Sequence, residues 1–454
     1  MRRLYGFLFL FLILWCGSAS AQRLQPAPTL HYIDAGYGAA ALGIGGAFVS
    51  VANDLSAIYW NPAGLTQLPG LQLYVDYRHQ GDSDEDFASE VTSQSFNSKQ
   101  RFSLSGNQIQ ALSVSYAFRN PGFTIVPAFA FQRLSIFSPQ RVLKEPAETQ
   151  FSTLDITGTL TGSFQQELKK GEDEYAIGVG ASINKKLFLG GSFSILRDGP
   201  EETLTGNFET SIQSVGQQSV ETITLNQLTT NKYKGNYLKV GVLAMPSPLL
   251  SLGGTIRFPY TRKNTFTVHS TGPFTIVDTF FDPQGNVDHT VTTQGNLNEG
   301  SGGESEVRIP MEWSVGASFR PAVNYLISGS VTHANWRDAQ ETSPSVPYPT
   351  LRGTPGDQPS LLQWHVGFQY LIGEVGNGIA LRTGYFRDGQ PIGTEADRSF
   401  FKGYSLGAGY ASRGIHFDFA LVRESGDFKL TPDSVGTSHV ANKRFLFSLG
   451  FSME

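Results

Sequence analysis

Three short motifs in this chain contain residues with the potential for catalysis or metal binding. The segment GYSLG, Gly403 to Gly407, matches the Gly-x-Ser-x-Gly pattern of serine hydrolases, but that chemistry needs a sharp strand-to-helix turn and a packed base. Ser405 instead lies in the middle of an alternating segment that predicts a strand. In GYGAAALG, residues 36 to 43, Ala41 occupies the place of the third glycine of a dinucleotide-binding loop. FDPQGNVDH, residues 281 to 289, is only weakly similar to a calcium-binding turn.

The histidines are scattered without the spacing of metal ligands. We therefore expect no catalytic residues, no metal site and no cofactor, and we expect that the protein is not an enzyme. The function must then depend on the overall architecture that the chain builds.

The first residues predict a secretory signal peptide over residues 1–21. Arg2 and Arg3 precede an apolar run from Leu4 to about Trp15, and the small residues Ala19, Ser20 and Ala21 follow as a cleavage site. Trp15 directly before Cys16 disfavours the alternative of a lipid-anchored protein. Because Cys16 is the only cysteine, the mature chain would contain no thiol.

Charge and composition narrow the class of protein. The formal charge is −5, and removing the two arginines of the signal makes it more negative, which argues against a nucleic-acid partner. The chain has 50 Gly, 33 Phe and 17 Tyr, and no apolar run after the signal is long enough for a membrane helix. A soluble β-protein, a repeat protein and an outer-membrane barrel remain open at this point.

Alternation of side chains favours the barrel. In YAIGVGASI, residues 175–183, one face is apolar and the other consists of small residues, and LFLGGSFSI, residues 187–195, returns in phase after a short turn. Six such hairpins are legible, and they pair residues 112–118 with 123–131, 175–183 with 187–195, 237–244 with 249–258, 312–319 with 323–331, 362–370 with 379–386, and 403–410 with 415–422.

Two further strands, residues 71–77 and 444–453, bring the count to fourteen. An even number allows the last strand to pair with the first, which removes every sheet edge from the lipid. Aromatic residues near the strand ends, on the apolar face, distinguish this pattern from a soluble sandwich; they are Tyr175, Trp313, Trp364, Tyr370, Tyr404 and Tyr410. Long polar segments between the hairpins, such as residues 198–235 and 260–306, are expected to be extracellular loops.

Residues 22–70 do not follow the barrel pattern. They are rich in glycine and then predict a short helix, capped by Asn53, with Leu55, Ile58 and Tyr59 on one face. Asn61 followed by Pro62 predicts a second helix start. The lumen of a fourteen-stranded barrel is wide enough to hold such a segment, and the alternative of a disordered leader is disfavoured by its apolar content.

The stretch GYGAAALGIGGAFVSVANDLSAIYWNPAGL resembles the N-terminal hatch of the FadL-like outer-membrane transporters of long-chain fatty acids and other hydrophobic compounds. The resemblance rests on the Gly/Ala run from Gly38 to Gly46, on Asp54, and on Asn61-Pro62-Ala63. It implies an all-β fold, a 14-stranded antiparallel transmembrane β-barrel with an N-terminal hatch containing short helices. The expected domains are a signal peptide (1–21), a hatch (22–70) and the barrel (71–454).

The resemblance also implies passive uptake of a hydrophobic small molecule by a monomer in the bacterial outer membrane, with hatch movement and lateral release into the membrane lipid. Hatch residues would be Asp54, Ile58, Tyr59, Trp60, Asn61, Pro62 and Ala63. Pro127 interrupts a predicted strand and corresponds to the wall kink of the family, so it is the predicted lateral gate. The alternative function, from a related group with a similar hatch, is a barrel component of a protein secretion system.

Cationic residues in the lumen phase of the strands are candidates for binding a fatty-acid carboxylate. Lys239, Arg308 and Arg382 are the predicted ligand-binding residues. The alternative is that they form lumen salt bridges, such as Arg308 with Glu312, or contacts between hatch and wall.

Overall fold

The computed structural model describes residues 36–91, 96–134, 140–143, 147–152, 156–199, 201–214, 216–342, 359–391, 398–429 and 437–453. The predicted signal peptide and the first part of the predicted hatch lie outside the described residues. No helix of the described chain is long and apolar enough to cross a membrane.

The described chain forms a closed antiparallel β-barrel of fourteen strands, several of them interrupted. The strands, numbered in chain order, are β1 (Leu71–Val91), β2 (Phe96–Tyr116 and Phe118–Asn120), β3 (Phe123–Arg133, Gln140–Leu143 and Ala147–Ser152), β4 (Ile156–Lys169 and Asp173–Ser182), β5 (Leu187–Arg197 and Glu201–Ser214), β6 (Gln217–Ser247), β7 (Leu250–Arg257 and Tyr260–Phe281), β8 (Val287–Ile309 and Glu312–Phe319), β9 (Tyr325–Asn335 and Gln340–Thr342), β10 (Ser360–Glu374), β11 (Asn377–Gln390), β12 (Ser399–Ser412), β13 (Ile415–Lys429) and β14 (Thr437–Met453).

The barrel closes where β1 pairs with β14, in a register that runs from Leu71 opposite Met453 to Ala88 opposite Thr437. The predicted strand count and the predicted pairing of the last strand with the first are confirmed. Closure leaves no free sheet edge at the level where the wall faces lipid, which is the condition for a β-structure to cross a membrane.

Short helices precede the barrel strands. They are α1 (Ala39–Gly43), α2 (Ala57–Trp60) and a 3₁₀ helix (Pro62–Gln67), and a second 3₁₀ helix (Trp336–Asp338) interrupts β9. The predicted cap at Asn53 is wrong, because α2 begins after Ser56 and Asn53 is exposed. The side chain of Asp54 instead accepts the Ser56 backbone N–H at 2.8 Å.

Apolar side chains cover the outside of the barrel and alternate with inward-facing small or polar ones. On β4, Ile177 and Val179 are exposed, whereas Ala176 is buried. Aromatic side chains pair across neighbouring strands, with ring centroids 5.4 Å apart for Trp364 and Tyr385 and 5.5 Å apart for Phe131 and Tyr175. This surface suits a hydrocarbon environment bounded by aromatic girdles.

Residues 198–235 and 260–306 are largely β-structure, so their prediction as loops is wrong. β6 alone has 31 residues, whereas crossing a membrane takes about ten. We name the part that continues beyond the barrel the extended sheet; it comprises residues 156–169, 201–214, 217–234, 260–281 and 287–305. These segments are rich in threonine, which is polar but favours strands, and this explains why they appeared loop-like in sequence.

Candidate functional site: the inner segment and the lumen

Residues 36–70, which we call the inner segment, lie inside the barrel at the level of the short turns. Tyr37, Phe48 and Leu65 are almost fully buried, and α1 contacts β11 to β14 while the 3₁₀ helix contacts β3 to β6. The inner segment therefore reaches opposite walls of the barrel and fills the lumen there.

Glycines on the inner face of the wall let the backbone of the inner segment approach closely. A Cβ on Gly253 would lie 2.2 Å from the Val49 carbonyl oxygen, and one on Gly367 would lie 2.3 Å from that of Ile44. No side chain fits at such distances. We call this set the glycine belt; it comprises Gly178, Gly180, Gly190, Gly241, Gly253, Gly316, Gly367, Gly384 and Gly407.

Polar side chains on the inner face of the wall donate hydrogen bonds to the carbonyl groups of the inner segment. The Ser405 hydroxyl donates to Gly43 O at 2.9 Å, the Ser251 hydroxyl to Ser50 O at 2.8 Å, and the Ser328 hydroxyl to Ala47 O. His365 Nδ1 is 2.6 Å from Gly45 O. Buried irregular backbone needs such partners, because an unpaired carbonyl in a dry lumen costs free energy.

Asn61 connects the two halves of the inner segment to the wall. Its Oδ1 accepts the Ala63 backbone N–H at 3.1 Å, and its Nδ2 donates to Val49 O at 2.8 Å and to Val242 O of β6 at 3.0 Å. Pro62 is the first residue of the 3₁₀ helix, and Ala63 is fully buried. The predicted Asn-Pro helix start is thus found, and it also fixes the segment to β6.

Tyr59 and Trp60 form the upper surface of the inner segment. Their rings meet edge to face at 5.3 Å, and Trp60 Nε1 donates to Tyr37 O at 2.9 Å. Both residues line a small cavity of about 50 Å³; its other lining residues include Lys239, Glu312, His365 and Asp388. That volume holds a water molecule but is far below the 300 Å³ or more of ordinary ligand sites.

The three predicted cationic residues lie in different places. Lys239 Nζ donates to Tyr59 O at 2.6 Å and stands 4.5 Å from the centroid of the Tyr59 ring. Arg382 forms an ion pair of 2.5 Å with Asp418. Both cations therefore hold or support the inner segment in this structure, which corresponds to the alternative of hatch-to-wall contacts and lumen salt bridges.

Arg308 does not face the lumen, contrary to the prediction. It is exposed, whereas its neighbours Val307 and Ile309 are buried. The interruption of β8 after Ile309 reverses the phase of the alternation, so Glu312 faces inward and pairs with Arg257 at 3.2 Å instead. Because the alternation of inward and outward side chains shifts by one residue at this break, the prediction made from one side of it is inverted on the other side.

Further ion pairs line the inside of the barrel. Arg444 pairs with Glu424 on the neighbouring strand at 2.7 Å, with both side chains almost fully buried, and Arg262 pairs with Glu172 at 3.2 Å. The sequence-based prediction did not include Glu424 or Glu172, although charged residues in the inward phase of strands were the signal that could have found them. Buried charges near the inner segment are thus paired with each other.

Pro127 lies on the outer face of β3, where it pairs with Val179 of β4. The register between β2 and β3 is the same on either side of it, since Phe118 pairs with Ile125 and Ser115 with Ala128. The missing N–H of Pro127 thus leaves a gap in the ladder without a bulge.

A larger irregularity follows further along β3. Ala111 of β2 pairs with Gln132, and Ser105 pairs with Gln140, so β3 has two more residues than β2 between these pairs. Against β4 the excess is one residue, because Arg133 pairs with Asp173 and Gln140 with Glu167. The pairing of β3 therefore shifts by two residues against β2 and by one residue against β4 across residues 135–139, which lie outside the described residues.

Comparison with solved structures shows which fold this is. The chain is similar to the Pseudomonas putida toluene transporter TodX, with 13% identity over 93% of this chain and 100% of that chain and a TM-score of 0.54. The chain adopts the fold of the FadL-like transporters. It is also similar to the CymD monoaromatic hydrocarbon channel (13% identity, 93% and 98% of the chains, TM-score 0.53) and to a Pseudomonas aeruginosa FadL homologue (12% identity, 92% and 98%, TM-score 0.53).

No protein-family model and no curated protein sequence matches the chain. At identities of 12–13%, the similarity shows the fold of the barrel alone.

Replacing belt glycines should displace the inner segment and open the lumen. We expect Gly190→Val and Gly253→Val to raise the single-channel conductance in planar bilayers, because their Cβ atoms would lie 2.2 Å from backbone atoms of Pro62 and Val49. Overpacking of this kind typically costs about 1–3 kcal/mol.

The adjacent glycines provide matched controls. Gly191→Val and Gly254→Val place a Cβ no closer than 3.7 Å and 3.4 Å to its surroundings, and these variants should keep the wild-type conductance. Equal conductance in all four variants would contradict the close packing described here.

Asp54 should make the opening of the inner segment depend on pH. Its Oδ2 is buried without a hydrogen-bond partner, and burial raises the pKa of the Asp54 carboxyl from 3.8 to about 6. A raised pKa means that the closed state prefers the protonated form. The stabilisation is therefore complete below about pH 4 and is lost as the pH rises through 6, by at most about 2–3 kcal/mol.

We expect the open probability of the channel to increase between pH 4.5 and pH 7. Asp54→Asn should flatten this dependence, because the amide is neutral throughout. An Asp54→Asn channel with the wild-type pH profile would assign the titration to another group.

Proposed function

We propose that this protein is an outer-membrane transporter for the passive uptake of hydrophobic small molecules, of which long-chain fatty acids are the candidate class. It would act as a monomer, capture its ligand outside the membrane, and release it sideways into the lipid after the inner segment, acting as a hatch, has moved. The observation that supports this proposal is the missing N–H of Pro127 in β3, because Pro127 lies opposite Val179, between two glycines of β4 that contact the inner segment, Gly178 and Gly180.

Capture would occur on the inner face of the extended sheet. β6 is continuous from Gln217 to Ser247, so Ile223 faces the same side as Lys239, which contacts the inner segment. Ile223 is flanked by Phe208 on β5 and by Phe274 on β7. These apolar side chains stand roughly 50 Å above Lys239 along the strand, at about 3.3 Å per residue.

Glycines lie opposite Phe208 and Phe274 on the next strands and leave room for the two rings. Gly162 pairs with Phe208, and Gly295 pairs with Phe274; a Cβ on either glycine would lie within 2.6 Å of the ring beside it. Phe208, Ile223 and Phe274 border a groove of about 460 Å³, together with polar residues such as Thr222 and Thr275. This volume is in the range of small-molecule sites, whereas that of the cavity at Tyr59 is not.

Release would use the wall between β2 and β3. An apolar molecule gains free energy by entering hydrocarbon and gains none by entering water, at about 25 cal/mol per Å² of apolar surface. A lateral exit is therefore favoured over passage into an aqueous compartment. The gap at Pro127 lies at the level of the inner segment, and its missing N–H would make this part of β3 easier to deform.

The inner segment would open by losing a small number of bonds. Lys239 to Tyr59 O and Asn61 to Val242 O link it to β6, where the polar cavity lies. Individual hydrogen bonds of this kind contribute about 0.5–1.5 kcal/mol net. Ligand contacts with Tyr59 and Trp60 could replace them at modest cost.

A disulfide across the exit tests lateral release. Val114 of β2 pairs with Phe129 of β3, two residues from Pro127, so a disulfide between these positions would hold the two strands together beside the gap. Once Cys16 is removed with the predicted signal, Val114→Cys with Phe129→Cys provides the only thiol pair. We expect the oxidised variant to lose fatty-acid uptake in cells that lack other transporters, and reduction to restore it.

The matched control is Leu381→Cys with Ala408→Cys, a pair in register on β11 and β12, away from Pro127. Its oxidation should leave uptake unchanged. Equal uptake by the oxidised and reduced forms of the Val114/Phe129 variant would rule out an exit at this place.

Substitution of Phe208 and Phe274 tests the proposed capture surface. We expect Phe208→Ser with Phe274→Ser to reduce the rate of oleate uptake at low oleate concentration about tenfold, with a smaller effect at saturation, since the change removes apolar surface that only the initial encounter uses. The control is Thr222→Ser with Thr275→Ser, on residues that border the same groove. An unchanged rate of uptake at low oleate concentration would contradict the proposed capture role of these residues.

A further inference from the structure

Among the described residues, the extended sheet ends in a long strand that is paired on one side only. Residues Tyr260–Phe280 of β7 pair with His289–Ile309 of β8 without a shift in register. On its other side β8 pairs only through Glu306–Arg308, with Gln340–Thr342 of β9. Within the described parts of the chain, Val287–Ser305 is therefore paired on one side only.

This edge is long and has neither proline nor bulges, two of the usual devices that prevent a strand from pairing with another chain. Natural edges are kept short or are interrupted by proline or by bulges. Val287–Ser305 contains no proline, and its register with β7 is regular from His289 onward. In an antiparallel strand, every second residue then directs its N–H and C=O groups away from the sheet. The edge presents these groups to solvent beyond the membrane.

The charges on this edge are of one sign. Asp288, Glu299 and Glu304 are acidic, and the stretch has no lysine or arginine. The other side chains are mostly threonine, asparagine, glycine and serine, which add little bulk to either face. A second copy of this strand would bring the same negative charges, and like charges opposite each other are unfavourable in a sheet.

We propose that Val287–Ser305 binds an extended, lysine- or arginine-bearing segment of another protein by β-strand addition. Main-chain hydrogen bonds to the free edge supply the affinity, and the acidic side chains select a basic strand. This interaction lies outside the barrel and does not depend on the uptake of a ligand, so it goes beyond the proposed transport function.

Three synthetic twelve-residue peptides test the proposal on the full-length protein in detergent micelles. The first alternates threonine and lysine, the second alternates proline and lysine, and the third alternates threonine and glutamate. The first should bind at least about tenfold more tightly than either of the others, because proline removes the N–H donors and glutamate reverses the charge. Fluorescence anisotropy of labelled peptides gives the affinities.

Charge reversal on the edge provides the second arm. Glu299→Lys with Glu304→Lys should weaken binding of the threonine–lysine peptide at least about tenfold and favour the threonine–glutamate peptide. Glu209→Lys with Glu221→Lys, on the inner strands β5 and β6 of the same sheet, should leave the affinity unchanged.

Hydrogen exchange provides the third arm. Before the threonine–lysine peptide is added, the amides in 287–305 that point away from the sheet should exchange rapidly. They should become protected when the peptide binds. Equal binding of the proline–lysine peptide would show a merely electrostatic contact and overturn the proposal. Protection before any peptide is added, or dimerisation of the protein through this edge, would assign the edge to this chain or to a second copy, and would likewise overturn it.

Discussion

The structure depends on the close approach of an irregular backbone to the inside of a β-barrel. The inner segment has few intrahelical hydrogen bonds, because α1 has five residues and α2 has four. Its remaining polar groups need partners from the wall, and the wall can supply them only where the strands carry no bulky side chain. The glycine belt meets that condition, and the serine hydroxyls beside it complete the hydrogen bonding.

The same arrangement explains how a tight closure can remain reversible. Glycine contacts and single hydrogen bonds hold the inner segment at many points, each of which contributes little, and the apolar rings of Tyr59 and Trp60 stay only partly covered. The other apolar side chains of the inner segment, among them Phe48, Leu55 and Leu65, are buried in one cluster, so the segment would move as a unit. The ion pairs above it, such as Arg444 with Glu424, add a polar layer that a ligand must pass or rearrange. Along β4, Gly178 and Gly180 contact the inner segment and Ile156–Lys169 belongs to the extended sheet, so the extended sheet lies above this closure on the proposed route.

The sequence was sufficient for the features that depend on local patterns. Alternation located all fourteen barrel strands, and the Asn61-Pro62 pair located the start of a helical turn. Features that depend on distant residues were missed or inverted: Arg308 was assigned to the lumen because the break in β8 was not anticipated, and the threonine-rich strands of the extended sheet appeared to be loops. The bonds between Gly43 and Ser405, or Tyr59 and Lys239, join residues far apart in sequence, so no local pattern could predict them.

The most direct measurement follows the inner segment while ligand is added. Nitroxide labels at Asn53→Cys, exposed on the inner segment, and at Val375→Cys, in the exposed turn between β10 and β11, report the distance between segment and wall by pulsed electron spin resonance. A movable inner segment predicts one distance without ligand and a second, distinct distance when oleate is added to saturation. A single distance that stays the same under conditions in which the labelled protein still transports oleate would contradict the account.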